Sequence, residues 1–325
     1  MQSARLGRSE SSRFAKVCYR GALAALVLLS AWPLLGRAQS PTPAASGPVK
    51  SDSGFYPGWN MGVRFEGSTD SDGSVYDLGT GIGYNFSHHF GVSLGVPYYF
   101  VGTPSSVKAK NPGAVSGNGI GNFGADLKWL FPGKTVNYAS TVHLGAPTGN
   151  TKKGLSNGHA TWNWTNHIEH GWGMFTPFID AGAGNTLPDT KYFRRPYMTF
   201  GYNAQFEAGT EVDAGPISLS ASAYDVAPWG NQTEYSRVFR CGSGTKCSAT
   251  GTTTDRKGYL SSSVTSGGAT LTRDNGFNLS AEFKPIKTID LEVDYSRSVP
   301  LRLNTFSFGI SLDLGAVLRR GSLTK

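Results

Sequence analysis

The sequence predicts an all-β chain: a transmembrane, antiparallel, up-and-down β-barrel of about 12 strands. Three observations predict it. Stretches of strict apolar–polar alternation recur along the chain, the links between them are alternately short and long, and aromatic residues gather at the strand ends. Met198–Gly209, MTFGYNAQFEAG, sets the pattern: Met198, Phe200, Tyr202, Ala204, Phe206 and Ala208 alternate with small, polar or charged residues. Period-2 alternation puts the two sets on opposite faces of a strand. A tilted strand crossing a bilayer takes about 9–11 residues, whereas an ordinary strand averages about 5–6. This stretch fits the longer class.

The N-terminus reads as a secretory signal over residues 1–38. Arg5, Arg8, Arg13, Lys16 and Arg20 make a basic region, Gly21–Leu35 an apolar run, and Gly36-Arg37-Ala38 a small-residue cleavage site. The segment carries six of the 30 Lys and Arg residues and one of the 22 Asp and Glu residues, so the net charge falls from +8 to +3 on its removal. The basic balance therefore belongs to targeting and implies no nucleic-acid partner. Residues 39–54 read as a flexible leader. The barrel is expected over 55–318, with a short tail at 319–325.

The alternation continues in order through Trp59–Phe65, Tyr76–Phe86, Phe90–Phe100, Ile120–Phe131, Val136–Ala146, Ala160–Ile168 and Phe175–Ala183. Met198–Gly209 comes next. Ile217–Ala223, Phe277–Phe283, Ile289–Tyr295 and Phe306–Leu314 complete the set. No apolar run after residue 38 approaches the roughly 18 residues of a spanning helix.

Short turns occur at Ser87-His88-His89, Pro132-Gly133-Lys134, Gly171-Trp172-Gly173, Asp213–Pro216 and Pro285-Ile286-Lys287. The alternate links are longer: Gly67–Ser74, Gly102–Gly119, Pro147–Gly158, Asn185–Tyr197 and Pro228–Gly276, with only Ser298–Asn304 brief. That segregation matches a bacterial outer-membrane barrel with periplasmic turns and external loops. Phe86, Phe90, Trp129, Phe131, Trp172 and Phe175 lie beside short turns, and Tyr98, Tyr99 and Phe100 beside a long loop. Aromatic rings favour the membrane interface. The expected location is the bacterial outer membrane, with lipid, periplasmic chaperones and the barrel-assembly machinery as partners.

Cys241 and Cys247 remain after signal removal. Their context in an exported Gly/Ser/Thr-rich segment suggests a local disulfide, and the spacing alone also fits half a metal site. No cofactor or metal is implied.

Gly119–Phe131, GIGNFGADLKWLF, is followed one hairpin later by Leu144–Gly149, LGAPTG. With these motifs the chain resembles the outer-membrane barrel family named after the meta-pathway of phenol degradation. That family has a Gly-x-Gly-Asp strand start, where Asn122 replaces Asp, and a Pro-Thr-Gly strand end, which Pro147-Thr148-Gly149 matches. The resemblance implies transport of small organic compounds. Such barrels often end in an aromatic residue that serves assembly, whereas this chain runs on through Arg319-Arg320 to Lys325.

The inward face is expected to carry Arg64, Asp77, Asn85, Asp126, Lys128, His143, His167, Glu169, Asp180, Gln205, Glu207, Glu282, Lys284, Asp290, Glu292 and Asp294. One reading is a solvated mixed-charge lumen, the other a lumen whose charges select a solute. Asp290, Glu292 and Asp294 favour cations or polar neutral solutes over anions. The function expected is passive or facilitated passage of small organic solutes, hydrophobic or aromatic ones included, through a transporter-type barrel. A structural or adhesive barrel acting through the external loop 228–276 is the alternative. A barrel hydrolase is a weaker one: His143 with Ser140 or Thr141, or His167 with Glu169 and His170, would supply the base.

Overall fold

The computed structural model describes residues 57–71, 73–102, 117–190, 194–237, 251–252, 263–286 and 289–313. The expected signal segment, leader, C-terminal tail and Cys241–Cys247 pair lie outside these residues. The strands are β1 (Gly58–Asp70), β2 (Gly73–Asn85), β3 (Phe90–Gly102), β4 (Gly119–Ile120), β5 (Phe123–Phe131) and β6 (Asn137–Ala146). Then come β7 (Thr161–Glu169), β8 (Phe175–Gly184), β9 (Tyr197–Phe200), β10 (Asn203–Ala214), β11 (Ile217–Pro228) and β12 (Gln232–Ser236). The last are β13 (Gly251–Thr252), β14 (Val264–Gly267), β15 (Asp274–Ile286), β16 (Ile289–Ser298) and β17 (Leu303–Asp313).

Twelve of these form a closed antiparallel barrel in the order β1-β2-β3-β5-β6-β7-β8-β10-β11-β15-β16-β17, with β17 returning to β1. Closure leaves no strand edge unpaired in lipid. The short β4 continues the line of β5 against β3. A separate four-stranded sheet, β13-β14-β12-β9, is made from the long links.

The faces follow the alternation, with the apolar set outward. On β16, Val293 is 62% exposed while the next residue, Asp294, is 2% exposed. Ile82, Leu94, Leu144, Trp164, Phe206, Leu219, Leu279 and Phe306 are likewise exposed. This inversion of the soluble pattern is stable only against hydrocarbon. At the short-turn end, ring contacts link Trp59 to Tyr84, Tyr84 to Phe86, Phe86 to Phe90 and Phe90 to Trp129.

Four expectations are corrected. Met198–Gly209 is not one strand. Gly201 takes φ +153° and its N–H donates to Asn185 O, so the run splits into β9 and β10. Tyr197 and Thr199 are buried and β9 pairs with β12 instead. Second, Gly67–Ser74 is no long link, because β1 and β2 pair out to Asp70 and Gly73. Third, Tyr99 does not join the rings at the membrane interface. It points inward and is buried, while Tyr98 is exposed. Fourth, Pro228–Gly276 is not wholly a loop, since it contains β12 and β14 and yields its ends to β11 and β15.

The two glycine motifs meet. Phe123 N–H donates to Thr148 Oγ1 at 2.8 Å and Gly149 N–H to Asn122 Oδ1 at 3.1 Å. A side chain on Gly149 would strike Leu155 O at 2.3 Å. Asn122 thus serves as a carbonyl acceptor.

A charge on the outer wall should be costly. Val293→Arg is expected to destabilise the barrel by about 2–4 kcal/mol if Val293 lies at the bilayer midplane. Reversible urea unfolding in lipid vesicles measures this, and no change would place Val293 away from hydrocarbon.

Candidate functional site

The link between β8 and β9 enters the barrel. β8 stands opposite β1 and β2 across the ring of strands. Yet Arg194, from this link, reaches both of them. Its guanidinium contacts Glu66 on β1 and lies 3.2 Å from Asp77 on β2 through Nε. Ser68 Oγ donates to Arg194 O at 3.0 Å. Arg194 is 3% exposed. Thr186–Thr190 and Arg194–Arg195, the described parts of this link, therefore lie across the lumen.

The reason lies in the strand register. Asp77 is directly opposite Glu66, Glu66 opposite Gly309, Gly309 opposite Glu292, and Glu292 opposite Glu282. Like charges opposite one another destabilise a sheet unless a cation intervenes. Arg64 supplies one, contacting Glu66 and lying 3.5 Å from Glu292, and Arg194 supplies another. Lys284 lies 2.6 Å from Glu282.

A second anchor holds the other end. Asp189 accepts from Arg237 Nη1 at 3.0 Å and from Tyr99 Oη at 3.2 Å. The Arg237 guanidinium also lies 4.3 Å from the centre of the Tyr99 ring. Asp189 Oδ1 accepts from Arg195 N–H at 3.1 Å. Above these ties, Val75, Tyr99, Val101, Leu155 and Tyr197 form a small buried apolar cluster.

The remaining inward residues form local pairs. His143 Nδ1 is 2.7 Å from Asp126 Oδ1, whose other oxygen accepts from Ser93 and lies 3.7 Å from Lys128. His167 has Asp180 at 2.8 Å on one ring nitrogen and Glu169 at 3.2 Å on the other. Asp180 is directly opposite Glu207, which accepts from Ser222 and Asn278. Gln205 Nε2 donates to Asn203 Oδ1 at 2.7 Å, and Ser311 to Asp290 at 3.2 Å. Asn85 Oδ1 accepts from Asn60 at 3.1 Å. Asp294 is buried on the inward face of β16.

The residues considered for hydrolysis lie apart. Ser140 is on the outer face, where its Oγ accepts from Trp164 Nε1 at 2.9 Å, and His143 is on the inner one. His170 contacts Thr135 O, away from His167.

Two chambers flank the crossing segment. One of about 160 Å³ is bounded by β1, β2, β3, β5, β6 and β7 and by Leu187, Pro188 and Asp189. The other, of about 60 Å³, is bounded by β7, β8, β10, β11, β15 and β16 and by Pro188, Thr190 and Arg195. Pro188 borders both. Arg194, Arg195, Asp189 and Arg237 carry this arrangement, and none of them lies in an alternating stretch.

No family model and no curated protein matches the chain. Among solved structures, an outer membrane channel from Pseudomonas putida F1 is similar in fold, with TM-score 0.52 and 13% identity over 82% of this chain and 99% of that one. The NanC porin matches at TM-score 0.44 and 7% identity, over 78% of this chain and 100% of that one. The KdgM porin matches at TM-score 0.42 and 10% identity, over 77% and 98%. The chain has the fold of a bacterial outer-membrane barrel, and its place is the outer membrane.

Releasing the crossing segment should widen the lumen. Arg194→Met leaves Glu66 and Asp77 opposed with no cation from the segment, and removing one partner of a buried pair costs about 3–5 kcal/mol. Single-channel conductance in planar bilayers is expected to rise several-fold. Unchanged conductance would show that Arg194 does not hold the segment in the ion path.

Proposed function

We propose that the chain is an outer-membrane channel for small organic solutes, single-ring compounds included. One observation carries this reading: the chamber of about 160 Å³ inside the barrel, between the crossing segment and the wall. An apolar cavity of about 150 Å³ holds one benzene ring. The chamber is larger than that and mixed in character. Leu155, Leu187, Met198 and Pro97 supply apolar surface, Thr161, Asn163 and Thr186 supply neutral polar groups, and paired charged groups such as Arg64, Glu66, Asp77, Asp126, Arg194 and Arg237 complete the lining. A small ring bearing a hydroxyl suits such a lining, since its apolar body and polar group each find a match.

The wall here is thin. Gly79, Gly95, Gly124 and Gly145 border the chamber with no side chain. At Gly124 a side chain would meet the His143 ring at 2.7 Å, so this glycine is needed for His143 to lie against Asp126. The joined Gly119–Asn122 and Pro147–Gly149 motifs support kinship with the phenol meta-pathway barrels as part of the same proposal.

The test is conductance of the refolded barrel in planar bilayers, with phenol and glucose added as blockers. Steps that phenol interrupts more than glucose are expected. Gly95→Trp, which projects a ring into the chamber, is expected to weaken the phenol block several-fold. Silence from a folded barrel would sink the channel reading and favour a barrel acting through residues 228–276.

A further inference from the structure

We propose that His143 selects among ring solutes by accepting a hydrogen bond from a solute hydroxyl at Nε2, and that Asp126 is the positioning residue that sets this polarity. This rests on the channel reading above and names the group that recognises the solute.

His143 on β6 is directly opposite Asp126 on β5, and its Nδ1 lies 2.7 Å from Asp126 Oδ1. The other carboxylate oxygen accepts from Ser93 Oγ at 3.0 Å and lies 3.7 Å from Lys128 Nζ. A carboxylate paired with a cation only accepts, so Nδ1 carries the proton. In the neutral ring the second nitrogen is then an acceptor. Nε2 has no partner among the described residues. The His143 side chain is 29% exposed and borders the larger chamber. Glycines keep its free edge clear. A side chain on Gly124 would stand 2.7 Å from Cε1 and 3.4 Å from Nε2, and one on Gly145 would stand 3.9 Å from Nε2.

A second polar group beside it is also unspent. Asn163 is directly opposite His143 on β7, is 3% exposed and borders the same chamber. Its amide nitrogen has no hydrogen-bond partner among the described residues. Buried polar groups are ordinarily paired, so an unpaired one calls for a partner. The chamber thus offers one acceptor and one donor at adjacent positions. A hydroxyl both donates and accepts and suits the pair, whereas an ether oxygen only accepts and leaves Nε2 unmet. His167, the other inward histidine discussed above, offers no such edge, since carboxylates occupy both of its ring nitrogens.

The experiment is block of single-channel current through the refolded barrel, in mildly alkaline buffer, by p-cresol and by anisole. The two share one molecular formula, and only p-cresol can donate a hydrogen bond. In the wild type p-cresol is expected to interrupt the current at a concentration roughly 2- to 10-fold lower, the worth of one hydrogen bond. His143→Phe keeps a ring, removes the acceptor and is expected to bring the two compounds to parity. Asp126→Asn is expected to reverse their order. Ser93 and Lys128 hold the amide oxygen, so the amide N–H turns to Nδ1 and the imidazole proton moves to Nε2. A merely structural role for Asp126 would weaken both blocks alike. Heat-modifiable migration on gels establishes that each variant is folded, and either one suffices. Equal block of the wild type, or an order unmoved in a folded variant, overturns the assignment to His143 and leaves the channel standing. No conductance from the folded wild type overturns both.

Discussion

Arg194 sits between two carboxylates that strand register forces together. Glu66 and Asp77 are opposite each other on β1 and β2, and both point into a low-dielectric interior. A buried like-charged pair needs a cation, and the chain brings it from the far side of the barrel. Meeting this requirement carries the β8–β9 link across the lumen. The course of that link then sets the two chambers and the position of Asp189 near Tyr99 and Arg237. The lumen's shape follows from charge compensation more than from apolar packing. Its only apolar cluster among the described residues beyond the Leu301–Leu303 pair lies at the mouth.

The wall obeys a different constraint. In lipid, each strand must spend its backbone hydrogen bonds on neighbours, and each outward side chain must be apolar. Interface positions admit polar groups where partners exist. On the outer face Tyr138 donates to Asn166 at 2.6 Å, and Trp164 to Ser140 at 2.9 Å. These pairs let β6 and β7 carry polar residues outward without orphaned groups. They also account for Asn166, a polar residue on the outward face of β7 beside Trp164 and Ile168.

Small residues connect the two constraints. Gly124 lets His143 fold onto Asp126. Gly149 lets the Pro147–Gly149 turn close against Gly121 and Leu155. A barrel of twelve strands has little interior volume. Side chains omitted at these points make room for the charged ones, for the crossing segment and for the larger chamber.

The sequence by itself determined the barrel wall. A period of two, held over bilayer-length stretches with turn residues between them, specifies strands, faces and closure through local rules. Those rules placed eleven of the twelve wall strands and part of the twelfth, and put Arg64, Asp77, His143, His167 and Glu207 on one face. They failed where φ departs from the strand: Gly201 split Met198–Gly209, because a glycine at positive φ looks the same in sequence as one inside a strand. Tertiary structure alone decided which inward residues meet. Arg194 is 128 residues from Glu66 and 117 from Asp77 in the numbering, and no spacing encodes that pairing. Asp189, Arg195 and Arg237 were equally silent, since they lie in links without periodicity. The wall is written in local periodicity, whereas the lumen is written in contacts that exist only after the barrel has closed.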